Sequence, residues 1–195
     1  FILAAKLMNT GGITSRIFRA ASAWVGSIPG GLGHANIVAS VIFSGMSGSA
    51  VADAGGLGQI EVDAMKEQGF DAEFSAAVTC ASATIGPIIP PSVPMVVYGM
   101  MTGVSVGSLF IGGVIPGLLL AVACSVLVYI MAKKRNYPVQ PFSWKEVGES
   151  TKEALLSLLT PVIIIGGIWT GIFSPTEAAC VASVYAFILS VLVYK

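Results

Sequence analysis

The sequence predicts an all-α polytopic membrane protein containing a re-entrant helical hairpin and a proline-broken transmembrane helix. Of its 195 residues, 55% are hydrophobic and only 10% are charged, where soluble domains carry roughly 25% charged residues. No Asp, Glu, Lys or Arg occurs from Ala20 to Ala52 or from Phe74 to Ala132, and both runs exceed the roughly 20 residues that span a bilayer. The second run nevertheless contains Pro87, Pro90, Pro91 and Pro94, and such a cluster cannot sit inside an unbroken helix.

The remaining composition narrows the function. Ten basic residues balance ten acidic ones, so there is no basic face for nucleic acid. Cys80, Cys124 and Cys180 are isolated, odd in number and set among apolar residues, which indicates packing rather than a disulfide framework or a metal site. No signal peptide is recognisable. Because the chain opens on "FILAAKLMN" and closes on "FILSVLVYK", it is expected to be a fragment of a longer protein.

Residues 1–10 read as the end of a transmembrane helix. Over 11–28, Ile13, Ile17, Ala21 and Trp24 fall at helical spacing with Arg16 and Arg19 elsewhere on the wheel, the pattern of an interfacial helix. Residues 32–68 read as the hairpin. The stretch from Asn36 to Gly45 covers about 15 Å at 1.5 Å per residue, half of a roughly 30 Å hydrocarbon core, and then meets the small tip residues Ser44 to Ser49. The plainer alternative, one crossing helix from Asn36 to about Leu57, would bury Asp53 in hydrocarbon.

Gly69 ends the hairpin, and Asp71 is the expected N-cap of the broken helix over 71–101. The proline cluster lies about 16 residues beyond Asp71, or roughly 24 Å of helix, so tip and break reach similar depths from the same face. Residues 109–132 form the next transmembrane helix. Lys133, Lys134 and Arg135 close it and mark that side as cytoplasmic.

A cytoplasmic interfacial connector is expected over 143–157, started by the Ser143–Glu146 capping box and carrying the stripe Trp144, Val147, Ala154, Leu155 and Leu158. A crossing helix over 158–174 follows. Ser174 as N-cap, Pro175 at N1 and Glu177 at N3 then open a last helix over 175–195.

A proline lacks an N–H and clashes with the carbonyl four residues earlier, so this cluster frees the carbonyls of Ala83, Gly86, Pro87 and Pro90. Unpaired backbone is tolerated at membrane depth only where protein buries it or it lines a polar cavity. A hard cation satisfies such oxygens, and broken helices in secondary transporters hold coupling ions this way. Ser47, Ser49, Ser82, Thr84 and Ser92 can add hydroxyl oxygens. A kinked structural helix, its carbonyls satisfied by neighbouring Ser and Thr, is the alternative. Asp53, the sole acid in the apolar part of the hairpin, is a functional candidate or a local capping group. His34 reads as an interfacial residue. A rival from another class is an intramembrane serine protease using Ser47 with His34 as base, which requires the pair within about 3 Å.

Taken together, "VIFSGMSGSAVADAGGLGQIEVDAMKEQGFDAEFSAAVTCASATIGPIIPPSVPMVVYG", "LFIGGVIPGLLLA" and "GGIWTGIFSPTEAACVA" resemble the large membrane subunit, DctM-type, of tripartite ATP-independent periplasmic (TRAP) transporters. The resemblance implies a sodium symporter of small organic anions such as C4-dicarboxylates or sialic acids, in the bacterial inner membrane and without enzymatic activity. It implies a DctQ-type small membrane subunit and a periplasmic substrate-binding protein as partners, and Na⁺ as coupling ion with no other cofactor. The fold implied is an elevator of two inverted repeats, of which one half is present here.

By motif position the resemblance also implies a sodium site formed by Ser47, Gly48 and Ser49 with Thr84, Gly86, Ile89, Pro90 and Pro91, mostly through backbone carbonyls. Substrate contacts are expected at Ser49, Ala50, Asp53 and Ser92. No Arg or Lys lies near either motif along the chain, so local dipoles or the other half are expected to supply the anion's counter-charge. A non-transporting structural membrane module is the remaining alternative.

Overall fold

The computed structural model describes Phe1 to Tyr194, apart from the side chain of Ile2; Lys195, the last residue of the expected final helix, lies outside the described residues. Ten α-helices and a terminal π-helical segment account for most of it, with no strand among the described residues. Among the described residues, three stretches are long and apolar enough to cross a membrane: Val106–Arg135, Trp144–Trp169 and Pro175–Val193. The protein is an all-α polytopic membrane protein.

The first helix, α1 (Ile2–Thr10), leads into α2 (Ile13–Val25). α2 buries Ile13, Ile17, Phe18 and Ala21, packing between α3 (Gly31–Ser47) and α9 (Trp144–Trp169). Three of its polar side chains reach other elements. Arg19 pairs with Glu153 at 2.6 Å, Trp24 Nε1 donates to Thr151 Oγ1 at 2.9 Å, and Arg16 stacks 3.8 Å above the Tyr194 ring centroid.

α3 lies at the centre of the molecule, touching α2, α6, α8 and α9. It buries residues on every side, including Ile37, Ala39, Phe43 and Met46 and the polar row Asn36, Ser40, Ser44 and Ser47. It forms the first arm of the hairpin. The returning arm is two helices, α4 (Ala50–Gly56) and α5 (Gly58–Glu67), which meet at the buried Leu57.

The broken helix follows as α6 (Ala72–Ala83) and α7 (Val93–Thr102), with nine non-helical residues, 84–92, between them. Behind the break runs α8 (Val106–Arg135). Gly113 and Gly117 let α8 close on it, for a Cβ at Gly113 would fall 2.4 Å from the Ile88 carbonyl oxygen and one at Gly117 2.3 Å from Ile89 Cγ1. The opposite face of α8 exposes Ile111, Ile115, Leu119 and Val122, a surface suited to hydrocarbon.

Two features differ from the sequence reading. The expected connector over 143–157 and crossing helix over 158–174 are one continuous helix, α9. Its buried positions Ser150, Ala154, Ser157, Thr160, Ile164 and Gly167 keep helical spacing straight through Pro161, and a Cβ at Gly45 of α3 would fall 2.8 Å from Pro161 Cβ. Packing on α3 thus holds the helix together at its proline. Asp71 does occupy the N-cap position of α6, but its side chain caps nothing. Its carboxylate is taken by Arg135 and by the Tyr137 hydroxyl, which donates to Oδ2 at 2.5 Å.

α10 (Pro175–Ile188) begins with the expected capping box, in which Glu177 N–H donates to Ser174 Oγ at 3.3 Å and Ser174 N–H to Glu177 Oε2 at 2.8 Å. The π-helical segment Leu189–Val193 brings Ser190 Oγ to the Leu7 carbonyl at 3.0 Å, which fixes α1 beside the last helix.

Candidate functional site

The hairpin turns on two residues. Gly48 ends α3 in the left-handed region at φ +62°, its N–H donating to the Ser44 carbonyl at 3.2 Å. Only glycine enters that region without steric cost. Ser49, extended, starts α4 and accepts the Ala52 N–H at 3.4 Å. The break uses similar devices. Gly86 N–H donates to the Ala83 carbonyl at 3.1 Å, Ser92 Oγ donates to the Pro87 carbonyl at 2.6 Å, and Ser92 Oγ accepts the Met95 N–H at 3.2 Å to cap α7. The Pro90–Pro91 peptide is cis.

Tip and break are joined directly, since Val93 N–H donates to the Gly48 carbonyl at 3.1 Å. A Cβ at Gly48 would fall 2.4 Å from the Pro91 carbonyl oxygen, and one at Gly86 would fall 3.2 Å from the Ser49 carbonyl carbon. The absence of a side chain at both positions is what permits backbone to lie on backbone.

Of the four carbonyls that the prolines were expected to free, Ala83 and Pro87 are thus re-paired, by an N–H and a hydroxyl. Among the described residues, no hydrogen bond reaches the carbonyl oxygens of Gly86 or Pro90, and both residues are buried beside the tip. Ser47 is fully buried, and its Oγ has no hydrogen-bond partner among the described residues. Ser47, Gly48, Gly86, Ile89, Pro90 and Pro91 are all buried in this region, with Ser49 and Ala50 at its edge. Thr84 is exposed, and its hydroxyl turns back to the Ala81 carbonyl at 2.6 Å.

The expected substrate contacts separate. Ser49 and Ala50 remain partly exposed at the tip, whereas Ser92 is buried with its hydroxyl engaged within the break. Asp53 is 1% exposed and faces inward. Neither carboxylate oxygen has a hydrogen-bond partner among the described residues, and the nearby Ser40 hydroxyl donates to Ser82 Oγ at 3.1 Å.

That bond belongs to a buried ladder between α3 and α6. Asn36 Nδ2 donates to Thr79 Oγ1 and Ser82 Oγ donates to Asn36 Oδ1, both at 2.7 Å. The ladder was not apparent from the sequence. Its trace was Asn36 and Ser40 one helical turn apart, with Thr79 and Ser82 spaced likewise on α6.

His34 and Ser47 stand near opposite ends of the same helix, α3. Thirteen residues at 1.5 Å each separate them by about 20 Å, so no Ser–His pair exists and the protease alternative is not favoured.

One charged group was missed. Although no Lys or Arg is near the motifs along the chain, α1 places Lys6 and Asn9 in a groove of about 150 Å³ whose other wall is Val51, Ala52, Gly55 and Gly56. The signal that could have found it is a lysine inside an apolar helix.

A hairpin tip hydrogen-bonded to a proline break that keeps unpaired carbonyls places the chain among membrane proteins that concentrate irregular backbone at one internal site, as transporters with broken helices do. The chain belongs to the family of the tripartite ATP-independent periplasmic transporter, DctM component, which it matches over residues 1–195. It is 55% identical to the sialic acid TRAP transporter large permease protein of Vibrio cholerae, covering all of this chain and 46% of that protein. It is 50% identical to the sialic acid TRAP transporter permease protein of Haemophilus influenzae, covering all of this chain and 32% of that one. A C4-dicarboxylate TRAP transporter large permease protein of Vibrio cholerae is 48% identical, with all of this chain and 43% of the relative covered. The chain therefore spans less than half the length of these relatives.

Proposed function

We propose that the chain forms part of the large membrane subunit of a sodium-coupled TRAP importer of small organic anions in the bacterial inner membrane. The names of its relatives support sialic acids or C4-dicarboxylates as the substrate class. The whole transporter would include a DctQ-type small subunit and a periplasmic binding protein that delivers the anion. Na⁺ is the coupling ion and no other cofactor takes part.

The observation that carries this reading is that the carbonyls of the buried residues Gly86 and Pro90 are left without donors in a break hydrogen-bonded to the hairpin tip, where the Ser47 hydroxyl is also unpartnered. A dehydrated sodium ion needs several oxygen ligands, and unwound backbone supplies them without adding charge. In this reading Ser47, Gly48 and Ser49 offer oxygens from the tip, and Thr84, Gly86, Ile89, Pro90 and Pro91 delimit the break. Thr84 contributes through its backbone, its hydroxyl being engaged. Ser49 and Ala50 present the tip to the anion, while Asp53 and Ser92 support the frame from within. Because the Val93–Gly48 bond ties tip to break, hairpin and broken helix move as one body in an elevator step.

The test is Pro90→Ala with Pro91→Ala in the whole transporter, which returns an N–H to each position and relieves the steric block to helix. Sodium half-saturation should rise about tenfold or more in proteoliposome uptake. Unchanged sodium affinity would leave the break a structural kink. The 195 residues alone, lacking a second hairpin and broken helix, should give no sodium-driven uptake.

A further inference from the structure

The groove between α1 and the hairpin contains the positive charge that the two motifs lack. Lys6 is the sole polar residue of the run "FILAAKLM", and a cation placed among apolar helices marks a pathway or a binding site unless an acid neutralises it. Here none does, since the ion pairs among the described residues are Arg19–Glu153, Arg135–Asp71 and Lys145–Glu149. Asp53, the nearest acid along the hairpin, is buried on the inner side of α4 and does not line the groove.

Lys6 is exposed along this groove, so its ammonium is open to a ligand entering beside the hairpin. It shares the groove with Val51 and Ala52, the second and third residues of α4 just past the turn at Gly48 and Ser49. The far end of the returning arm, with Lys66 and Glu67, comes 15 residues after Ala52, or about 22 Å of helix.

Asn9, three positions after Lys6, lies on the same helix face. A Cβ on Gly56 would fall 3.6 Å from the Asn9 side-chain Cγ, so the amide rests against bare hairpin backbone. An ammonium and a carboxamide on adjacent turns supply a charge and oriented N–H donors, the complement of a carboxylate.

We infer that Lys6, positioned with Asn9, meets the carboxylate of the transported anion beside the hairpin tip and helps set the preference for acids. This rests on the anion-transport reading above and supplies the counter-charge that it leaves open. Since the charged contact is made by α1 and the ion-holding backbone by the hairpin and α6–α7, anion affinity and sodium affinity separate by mutation.

The experiment uses the whole transporter in proteoliposomes with sialic acid and with succinate as probes, continuing with whichever the unaltered protein takes up. Lys6→Gln should raise KM for that anion about tenfold or more, as expected for a lost hydrogen bond to a charged group. The sodium half-saturation should stay unchanged, and Lys6→Arg should restore most of the affinity. An unchanged KM in Lys6→Gln overturns the inference, as does an equal rise in the sodium requirement. Absence of sodium-driven uptake of either probe by the unaltered protein would instead overturn the reading on which it rests.

A second measurement guards against misfolded variants. Lys6→Cys, on a background with Cys80, Cys124 and Cys180 replaced, should react with an anionic thiol reagent and be protected by saturating probe anion. Reaction without protection overturns the inference.

Discussion

Val93, the first residue of α7, donates its backbone N–H to the carbonyl of Gly48 at the hairpin tip, at 3.1 Å. A single bond thus ties together the two irregular segments, the hairpin tip and the proline break. Gly48→Ala tests how much depends on that approach. The left-handed backbone alone costs a non-glycine residue about 1–2 kcal/mol, and the added Cβ would lie 2.4 Å from the Pro91 carbonyl oxygen, so the break must move. The variant should unfold at a lower temperature in detergent by at least that backbone cost, and added sodium should stabilise it less than it does the unaltered protein. Equal sodium stabilisation in both would separate the tip from the ion site.

The ladder of Asn36 with Thr79 and Ser82 joins the first hairpin arm to the first half of the broken helix. Interhelical hydrogen bonds in membrane proteins average about 0.6 kcal/mol and reach about 1.7. Asn36→Ala removes two of them and leaves two hydroxyls without that partner, for an expected loss of about 1–3 kcal/mol in denaturant unfolding. A double-mutant cycle with Ser82→Ala should be non-additive, because the residues share one network. Additive effects would mean that they stabilise the protein independently.

Asp71 carries a pH dependence of known sign. The hydrogen bond from the Tyr137 hydroxyl, ahead of that from Arg135, holds its carboxyl below the ordinary carboxylate value. A group depressed in the folded state stabilises fully above its unfolded value, about pH 3.9, and loses that contribution as pH falls through the folded value. The side chains of Arg135 and Asp71 are 44% and 50% exposed, so the effect is small and screened by salt. The melting-temperature difference between the unaltered protein and Asp71→Asn should therefore be flat from about pH 5 to 8 and shrink towards zero below about pH 4. Tyr137→Phe should reduce it at every pH above that range. A difference that grew between pH 5 and 8 would assign the effect to another group.

What could be read in advance was whatever the chain encodes locally. Ser and Gly at 44–49 and prolines at 87–94 mark the tip and the break by their own backbone chemistry, and Ser174–Glu177 encodes its capping box within four residues. What could not be read depends on partners far along the chain. Even close by, the sequence offers Ser92 as a donor without saying that it takes the Pro87 carbonyl and leaves that of Gly86. Asn36 and Thr79 are 43 positions apart, and Lys6 reaches the hairpin only because α1 packs on α4 and α10. Asp71 reads as a cap because the rule is local, but Arg135 and Tyr137 compete for the same carboxylate from another helix end. The boundary expected between 157 and 158 is absent because α9 runs on through Pro161 against α3.

Ser92 decides between two uses of the same hydroxyl. Its Oγ donates to the Pro87 carbonyl at 2.6 Å and accepts the Met95 N–H at 3.2 Å, so it fastens both sides of the break and has no further proton to offer a substrate. Ser92→Ala removes a helix cap, at about 1 kcal/mol, and strands a buried carbonyl, at about 1–3 kcal/mol. The loosened break should weaken sodium binding in the whole transporter, while anion KM at saturating sodium stays within about twofold. Ser92→Thr, which keeps the hydroxyl, should recover most of the stability and the sodium affinity. The opposite pattern, an altered anion KM with stability and sodium affinity intact, would place the Ser92 hydroxyl on the substrate rather than in the frame.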